Sequence, residues 1–308
     1  MKKRILITGA SGFISRWLIK RLMKSGVFEV YLLHSSESEN SEYNLKVNHV
    51  FCDIGDEVQT REALAHTSID YIYHFAAKST IGDSQNSPLE TFKTNIQGTW
   101  NLLQIAKEKN VKGVVFASSM SVYDEHNKSP LSETDEINSK TTYGVSKICG
   151  EHIAQLYGTT FNLPVLIVRL GMVFGGGDSQ NSRLIPSIVN SLLKNKELQL
   201  RSPADTLIDP IYVKDLVEAL VKAISYFKTK KVKAEVLNIS SGTPVSIKEI
   251  VDILTNVSKA GKISVKYGDY ISVKRYMNIE KVVKKIDWNP SYALNEGLKE
   301  TFLWYYKR

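Results

Sequence analysis

Over about the first 170 residues, short β-branched runs alternate with longer amphipathic segments. That alternation marks strand–helix–strand units and a parallel sheet. Arg4–Thr8 reads as the first strand. Phe13–Lys24 reads as a helix, with Phe13, Ile14, Trp17, Leu18 and Leu22 on one face and Gly26 just past its end. Strands are predicted at Val27–Leu33, Val47–Cys52, Asp70–His74, Lys112–Ser118 and Val165–Leu170. Long helical stretches are predicted at Pro88–Lys109 and Tyr143–Phe161. Beyond them the pattern turns irregular, starting at the glycine-rich turn Gly175-Gly176-Gly177. A helix is expected at Val213–Phe227, a last strand at Val236–Ser240, and a further helix from Ser246, where Ser246 and Glu249 have the capping-box spacing. The tail carries its own aromatics, Tyr267, Tyr270, Tyr276, Trp288, Tyr292, Phe302 and Trp304.

These elements predict an α/β protein with a Rossmann-type, doubly wound parallel sheet and a small mixed C-terminal lobe for the substrate. Residues 1–173 with 206–241 are expected to form the dinucleotide-binding part, and residues 174–205 with 242–308 the lobe. A chain of 308 residues is long enough to bury a core without disulfides. Its two cysteines, Cys52 and Cys149, form no CxxC pair, which suits a reducing compartment. The opening run Met1-Lys2-Lys3-Arg4-Ile5-Leu6-Ile7-Thr8 stops at Gly9, too soon for a signal peptide. No stretch reaches the roughly 18 apolar residues of a membrane span, so the expectation is a soluble, cytoplasmic protein with no membrane partner. The net charge of +8 favours phosphate-bearing ligands. The lysines are scattered, however, and the densest cluster, Lys228 to Lys233, is short, so no nucleic-acid partner is expected. The six histidines form no pair at metal-ligand spacing, and no metal is expected.

Thr8-Gly9-Ala10-Ser11-Gly12-Phe13-Ile14-Ser15 follows a strand and opens a helix, the setting of a dinucleotide site. Gly9 suits the tight turn, and Gly12 lets a pyrophosphate approach the helix N-terminus. Ser15 stands where a third glycine is usual. The second strand ends in Leu33-His34-Ser35-Ser36, without the carboxylate that would contact ribose hydroxyls. The cofactor is therefore read as NAD(P), leaning slightly to NADP, with His34 and Ser35 beside it. Asp53, after the third strand, is a candidate for the adenine amino group, with a turn-forming role as the alternative.

Tyr143-Gly144-Val145-Ser146-Lys147 puts a phenol and an ammonium four residues apart, on one helix face. A nearby cation favours phenolate, making Tyr143 a candidate acid/base. Ser119 ends the fifth strand on the carboxyl edge, where open α/β sheets bind ligands, and its hydroxyl suits a substrate oxygen. With these residues in place, the chain resembles the extended short-chain dehydrogenase/reductase family, in particular its nucleotide-sugar epimerases, dehydratases and reductases. The resemblance rests on Thr8–Ile14, Asp53-Ile54, His74-Phe75-Ala76-Ala77, Asn95-Ile96-Gln97-Gly98-Thr99, Ser118-Ser119, Tyr143–Lys147, Tyr212-Val213-Lys214-Asp215, Asp287-Trp288-Asn289-Pro290 and Glu296-Gly297-Leu298. It implies Ser119, Tyr143 and Lys147 as the catalytic set, with Tyr143 and Lys147 also touching the cofactor. It implies cofactor contacts at Gly9, Ser11, Gly12, Phe13, Ile14, Asp53, Ile54, Ala76, Ala77 and Lys78, with Asn95 supporting the site from the long helix. It also implies a homodimer through the helices at Pro88–Lys109 and Tyr143–Phe161.

Within that family, dehydratases carry acids after the catalytic serine or threonine, where this chain has Met120 and Ser121. Glu125 and His126 follow closely but fit a loop. Hydride transfer at one carbon of a nucleotide-linked sugar, commonly C4, remains, as a 4-epimerase or a 4-keto-sugar reductase. Substrate contacts are assigned to Ser79, Ser121, Met172, Leu184, Arg201 and Arg275. Met172 stands where the family has an asparagine, and Ile208 where it has an arginine, leaving Arg201, Arg183 or Arg275 to hold a diphosphate. These departures keep open a reductase of a small non-sugar carbonyl compound, with no affinity for nucleoside diphosphates. A non-catalytic dinucleotide sensor is the remote alternative, and it would call for a broken Ser/Tyr/Lys set.

Overall fold

The computed structural model describes residues 2–36, 47–229, 232–258 and 263–307. Met1, Lys230, Lys231 and Arg308, which figure in the readings above, lie outside them. In chain order, the first part comprises β1 (Lys3–Thr8), α1 (Phe13–Ser25), β2 (Phe28–His34), β3 (Asn48–Phe51), α2 (Glu57–Leu64), β4 (Tyr71–His74), α3 (Ile81–Asn86) and α4 (Pro88–Phe92). A π-helical turn, Lys93–Gln97, leads into α5 (Gly98–Glu108), β5 (Gly113–Ser119), α6 (Thr142–Thr160) and β6 (Val165–Leu170). Then come β7 (Met172–Phe174), α7 (Leu184–Leu193), β8 (Leu198–Gln199), β9 (Leu207–Ile208), β10 (Pro210–Tyr212), α8 (Val213–Thr229) and β11 (Ala234–Ile239). The chain ends in β12 (Val245–Ser246), α9 (Ile247–Ser258), β13 (Val265–Lys266), β14 (Lys274–Arg275), α10 (Glu280–Ile286) and α11 (Leu294–Tyr306).

Seven strands make one parallel sheet in the order β11-β6-β5-β4-β1-β2-β3. This is the doubly wound arrangement the sequence predicts. The order reverses between β1 and β4, and ligands of such sheets bind outside the carboxyl ends of the strands at that point. A parallel sheet is covered on both faces, so its strands are apolar throughout, and every residue of β4 and β6 is buried. Successive side chains point to opposite faces. Ile5, Ile7, Tyr73 and Val115 therefore join a core with α1 and α8, whereas Leu6, Ile72, Val114 and Phe116 join one with α5 and α6.

The predicted strands and long helices of the first part form within a residue or two of their expected ends. The capping box also forms, with the Glu249 amide donating to Ser246 Oγ at 3.1 Å. Three features differ. The long helix at Pro88 is broken by the π-turn, because Asn95 is drawn inward. Strand β11 is not the last, since three short strands follow it. Helices α2, α3, α7, α10 and α11, and the short strands β7 to β10, went unpredicted. Of these, α2 starts at Asp56, whose carboxylate accepts from the Gln59 amide at 3.0 Å, and α7 buries Ile185, Ile188, Val189 and Leu192. Strand β9, expected in the dinucleotide-binding part, pairs with both β12 and β14 from the stretch assigned to the lobe, and β8 pairs with β13. Strand β10 lies parallel to β7. Buried residues of α7, α9 and α11 belong to the same core as β1 and α8, so the lobe is continuous with the sheet.

Candidate active site

The turn between β1 and α1 is built by two glycines. Gly9 has φ of 65°, and a Cβ there would stand 2.7 Å from the Ala76 amide nitrogen. Only glycine lets the exit of β4 approach so closely. Gly12 donates its amide to the Gly9 carbonyl at 3.0 Å and is the N-cap of α1. Among the described residues no side chain caps that helix, and its first turn has no acidic residue. An uncapped N-terminus with this glycine approach fits a pyrophosphate. Ser15 is buried behind it, and its hydroxyl finds no partner among the described residues. Ser11, Phe13 and Ile14 are half-exposed around the turn, and Ala76 and Ala77 are half-exposed across it.

Other cofactor candidates are placed less openly. The His34 ring is fully buried, stacked on His49 and Phe51 at centroid distances of 5.3 and 5.5 Å, so its ring does not face the groove. Ser35 beside it is exposed. Asp53 accepts from the Gly55 amide at 2.9 Å and pairs with Lys93 at 2.9 Å, contacts that fit the turn-forming alternative. Ile54 is buried in the core, and its carbonyl accepts from Asn101 at 2.9 Å. Lys78 and Ser79 are exposed. Asn95 sits on the π-turn, buried. Its Oδ1 accepts from the Lys78 amide at 2.8 Å, and its Nδ2 donates to the Lys78 carbonyl at 3.1 Å and to Ser146 Oγ at 2.9 Å. It thereby ties the chain after β4 to α6, one residue before Lys147.

Ser119 ends β5, and its Oγ accepts from the Ser121 amide at 3.1 Å. Tyr143 stands in the first turn of α6, whose N-cap Thr141 accepts from the Gly144 amide at 3.1 Å. Gly144 brings helix and strand end together: a Cβ there would lie 1.9 Å from Ser139 Oγ and 2.6 Å from the Ser121 carbonyl oxygen. The Ser119 side chain acts on the Tyr143 phenol, opposing the upward push of its burial. One helical turn on, Lys147 is buried. Its Nζ donates to the Ala117 carbonyl at 2.8 Å and lies 5.9 Å from the Tyr143 ring centre. The three residues expected to act together are thus brought together.

Their electrostatics differ in one respect from the sequence expectation. Burial pushes the Tyr143 phenol above its ordinary value, against the lowering effects of Ser119 and the charge of Arg183. Phenolate is therefore not favoured in the protein by itself. Burial also pulls the Lys147 ammonium down to about 8, opposed by Glu151. Arg183, which the sequence reading left among several arginines, precedes α7, is held by Asp178 at 3.0 Å, and acts by its charge on Tyr143. Glu151, one turn beyond Lys147, was missed, although its spacing of four residues was the signal.

The substrate candidates lie on several elements. Ser121 follows Ser119 and is half-buried, while Leu184 opens α7 and is half-buried. Met172 pairs in register with Pro210, and Ile208 with Val245 and Arg275. The Arg275 guanidinium donates to the Asp124 carbonyl at 3.0 Å, and Arg201 is exposed. Glu125 and His126 are turned to solvent, with side chains 73% and 87% exposed. No group of three metal-ligating residues occurs among the described residues, and no helix there is long and apolar enough to cross a membrane.

A glycine turn at a helix N-terminus, set beside serine, tyrosine and lysine at the switch point of a parallel sheet, defines a dinucleotide-dependent enzyme of the short-chain dehydrogenase/reductase type. The model of the NAD dependent epimerase/dehydratase family matches residues 5–240, and the chain belongs to that family, whose members modify nucleotide sugars. Among its relatives is a putative UDP-glucose 4-epimerase of Methanocaldococcus jannaschii, 27% identical over 97% of each chain. Another is a UDP-N-acetyl-alpha-D-glucosaminuronate decarboxylase of Bacillus cytotoxicus, 28% identical over 99% of this chain and 98% of that one. In fold it is similar to the UDP-glucose 4-epimerase of Thermotoga maritima solved with UDP-glucose, with a TM-score of 0.88, 24% identity and 99% of each chain covered. The family is described as NAD dependent, and the slight lean to NADP finds no support.

Proposed function

We propose that this protein is an NAD-dependent 4-epimerase of a nucleotide-linked sugar, working in the cytoplasm. The observation that carries the reading is the meeting of Ser119, Tyr143 and Lys147 at the carboxyl edge, followed by Met120 and Ser121 and no acid. Of the carboxylates and histidine that follow, Asp124 is buried and accepts from the His126 amide at 2.8 Å, and Glu125 and His126 point to solvent. A dehydratase needs further acid/base groups to eliminate water, whereas moving a hydride off and back onto one carbon needs one acid/base. The relatives named as UDP-glucose 4-epimerases support the same reading.

Gly9, Ser11, Gly12, Phe13 and Ile14 would hold the pyrophosphate of NAD, Ala76 and Ala77 would line its groove, and Lys147 would hold its nicotinamide ribose. Bound NAD would supply the hydride acceptor and donor. Tyr143 takes the proton of the C4 hydroxyl as the hydride leaves and returns it when the hydride comes back. Ser119 donates a hydrogen bond that orients the same oxygen. Lys147, held against the Ala117 carbonyl, places a positive charge beside the phenol and favours the phenolate during the transfer. Asn95 holds Lys78 and Ser146 so that the cofactor groove and α6 keep their spacing. Arg183, whose charge reaches Tyr143, is the arginine best placed for the diphosphate.

We also propose a homodimer. Leu89, Phe92 and Trp100 on the Pro88–Glu108 stretch, and Leu156 and Phe161 at the end of α6, are exposed large apolar side chains on adjacent helices. A groove of about 810 Å³ runs past Leu89, Phe92, Ile96 and Trp100 on the same face. A second copy of the two helices would cover it.

The first test is to denature freshly purified protein and identify what is released. One NAD or NADH per chain is expected of an epimerase, which recycles its cofactor. An empty protein that prefers NADPH would instead indicate a 4-keto-sugar reductase. A second reading, a reductase of a small carbonyl compound, is favoured by the apolar Met172 and Ile208, and absence of binding to any nucleoside diphosphate would establish it. Tyr143→Phe should lower turnover at least about a hundredfold while NAD still binds.

A further inference from the structure

Behind Lys147 lies a buried charged cluster that the reaction as proposed does not use. Glu151 is fully buried one helical turn past Lys147, and Arg169 on β6 is 3% exposed. The two form a forked pair: Arg169 Nη2 donates to Glu151 Oε2 at 2.8 Å and Nε to Oε1 at 3.0 Å. Ser118 Oγ donates to the same Oε1 at 2.5 Å. Arg169 also donates to the Glu133 carbonyl at 3.2 Å and lies 4.8 Å from the Tyr123 ring centre. A buried ion pair is an uncertain source of stability, and apolar residues of similar size often do as well. Its placement is more informative. The carboxylate stands on the helix that carries Tyr143 and Lys147, and its partner Ser118 adjoins both Ser119 and the Ala117 carbonyl that holds Lys147 Nζ.

We propose that Glu151 is a positioning residue for the Ser119–Tyr143–Lys147 set: it fixes Ser118 and Arg169 behind Lys147, and its negative charge keeps the Lys147 ammonium protonated beside Tyr143. This rests on the proposed role of Tyr143 as acid/base. Lys147 sits in low-dielectric surroundings that favour its neutral form, and Glu151 is the group that opposes them. With Glu151 neutral, the guanidinium of Arg169 would be left uncompensated behind a second buried cation.

The other groups around Lys147 do not substitute for it. His74 on β4 is buried, hydrogen-bonded to Thr8 and Thr99 Oγ1, and pulled down to about 3 by its burial, so it stays neutral and brings no charge. Phe116 on β5 offers its ring face at 5.2 Å. On α3, α4 and the π-turn, Asp83, Glu90 and Lys93 are exposed, as are Glu108 on α5 and His152 on α6 itself. Glu235 on β11 pairs with Lys281 and Lys285.

The test is Glu151→Gln, which keeps the shape and the Ser118 hydrogen bond and removes the charge. The titration of Lys147 is followed by NMR of protein carrying isotope-labelled lysine, with the signal assigned from Lys147→Met; this readout needs no substrate. The midpoint should fall by about one pH unit or more. The alkaline limb of the pH–kcat profile should move down with it, while KM for the sugar nucleotide changes less than about twofold. A folded Glu151→Gln protein whose Lys147 midpoint is unmoved would overturn the proposal. If that variant does not fold, Glu151→Asp decides: it keeps the charge and should hold the wild-type midpoint, and a fall of about one pH unit there would overturn it equally. Should the wild type turn over no sugar nucleotide, the proposed function fails, and the lysine titration still decides the role of Glu151.

Discussion

Replacing Lys147 by methionine should make the free protein more stable near neutral pH than the reaction permits it to be. The ammonium is 4% exposed, and burial lowers it from 10.5 to about 8. At 1.36 kcal/mol per pH unit, that difference is about 3 kcal/mol. Below pH 8 both the folded and the unfolded chain carry the proton, and folding bears the whole cost. Above the unfolded value of 10.5 neither does, and the cost is gone. Between the two the unfolded chain binds more protons, so wild-type stability rises with pH relative to Lys147→Met. Urea denaturation of both proteins without cofactor, from about pH 7 to about pH 11, should show their stability difference changing by about 3 kcal/mol in favour of the wild type. Constant contributions cancel in that change, including the Ala117 carbonyl left without its donor and the packing of the new side chain. A difference that stays flat over the whole window would refute the reasoning, because Lys147 would then not be held charged against its burial.

Three further outcomes follow from the same geometry. Gly144→Ala should push the first turn of α6 off Ser139 and the Ser121 carbonyl; turnover should drop about tenfold or more while the far-ultraviolet circular dichroism is kept, and wild-type turnover would show that the close approach does not matter. Asn95→Ala removes three hydrogen bonds; at about 1 kcal/mol each, denaturation should show a loss of about 3 kcal/mol. Trp100→Glu places a charge on the exposed apolar face; if the proposed dimer forms there, sedimentation should show the variant as a monomer, and a sedimentation coefficient unchanged from the wild type would remove this face from the interface.

Much of this protein can be read along the chain, for reasons that are local. The apolar runs at Ile5, Tyr71 and Val165 mark strands buried on both faces, and Gly26 ends α1 because a left-handed residue must follow it. Tyr143 and Lys147 are legible because a helix brings residues four apart onto one side. Ser246 and Glu249 announce α9 in the same way. Helix α7 is less legible: it is apolar on most of its length, and periodicity alone does not separate a buried helix from a strand.

What only the tertiary structure decides is where groups from distant segments meet. His34 looks like a cofactor contact at a strand end, but its ring is taken up by His49 and Phe51 from β3. Asp53 is drawn to Lys93, forty residues on, and Arg275 to the Asp124 carbonyl. Spacing suggests that Lys147 lowers Tyr143, yet burial, which has no local signature, moves the phenol the other way. Glu151 lies within sight of Lys147 in the sequence, but its partners Ser118 and Arg169 come from β5 and β6. Strand pairing and burial are properties of the whole sheet, and they set both the charge state and the place of the residues that the sequence names.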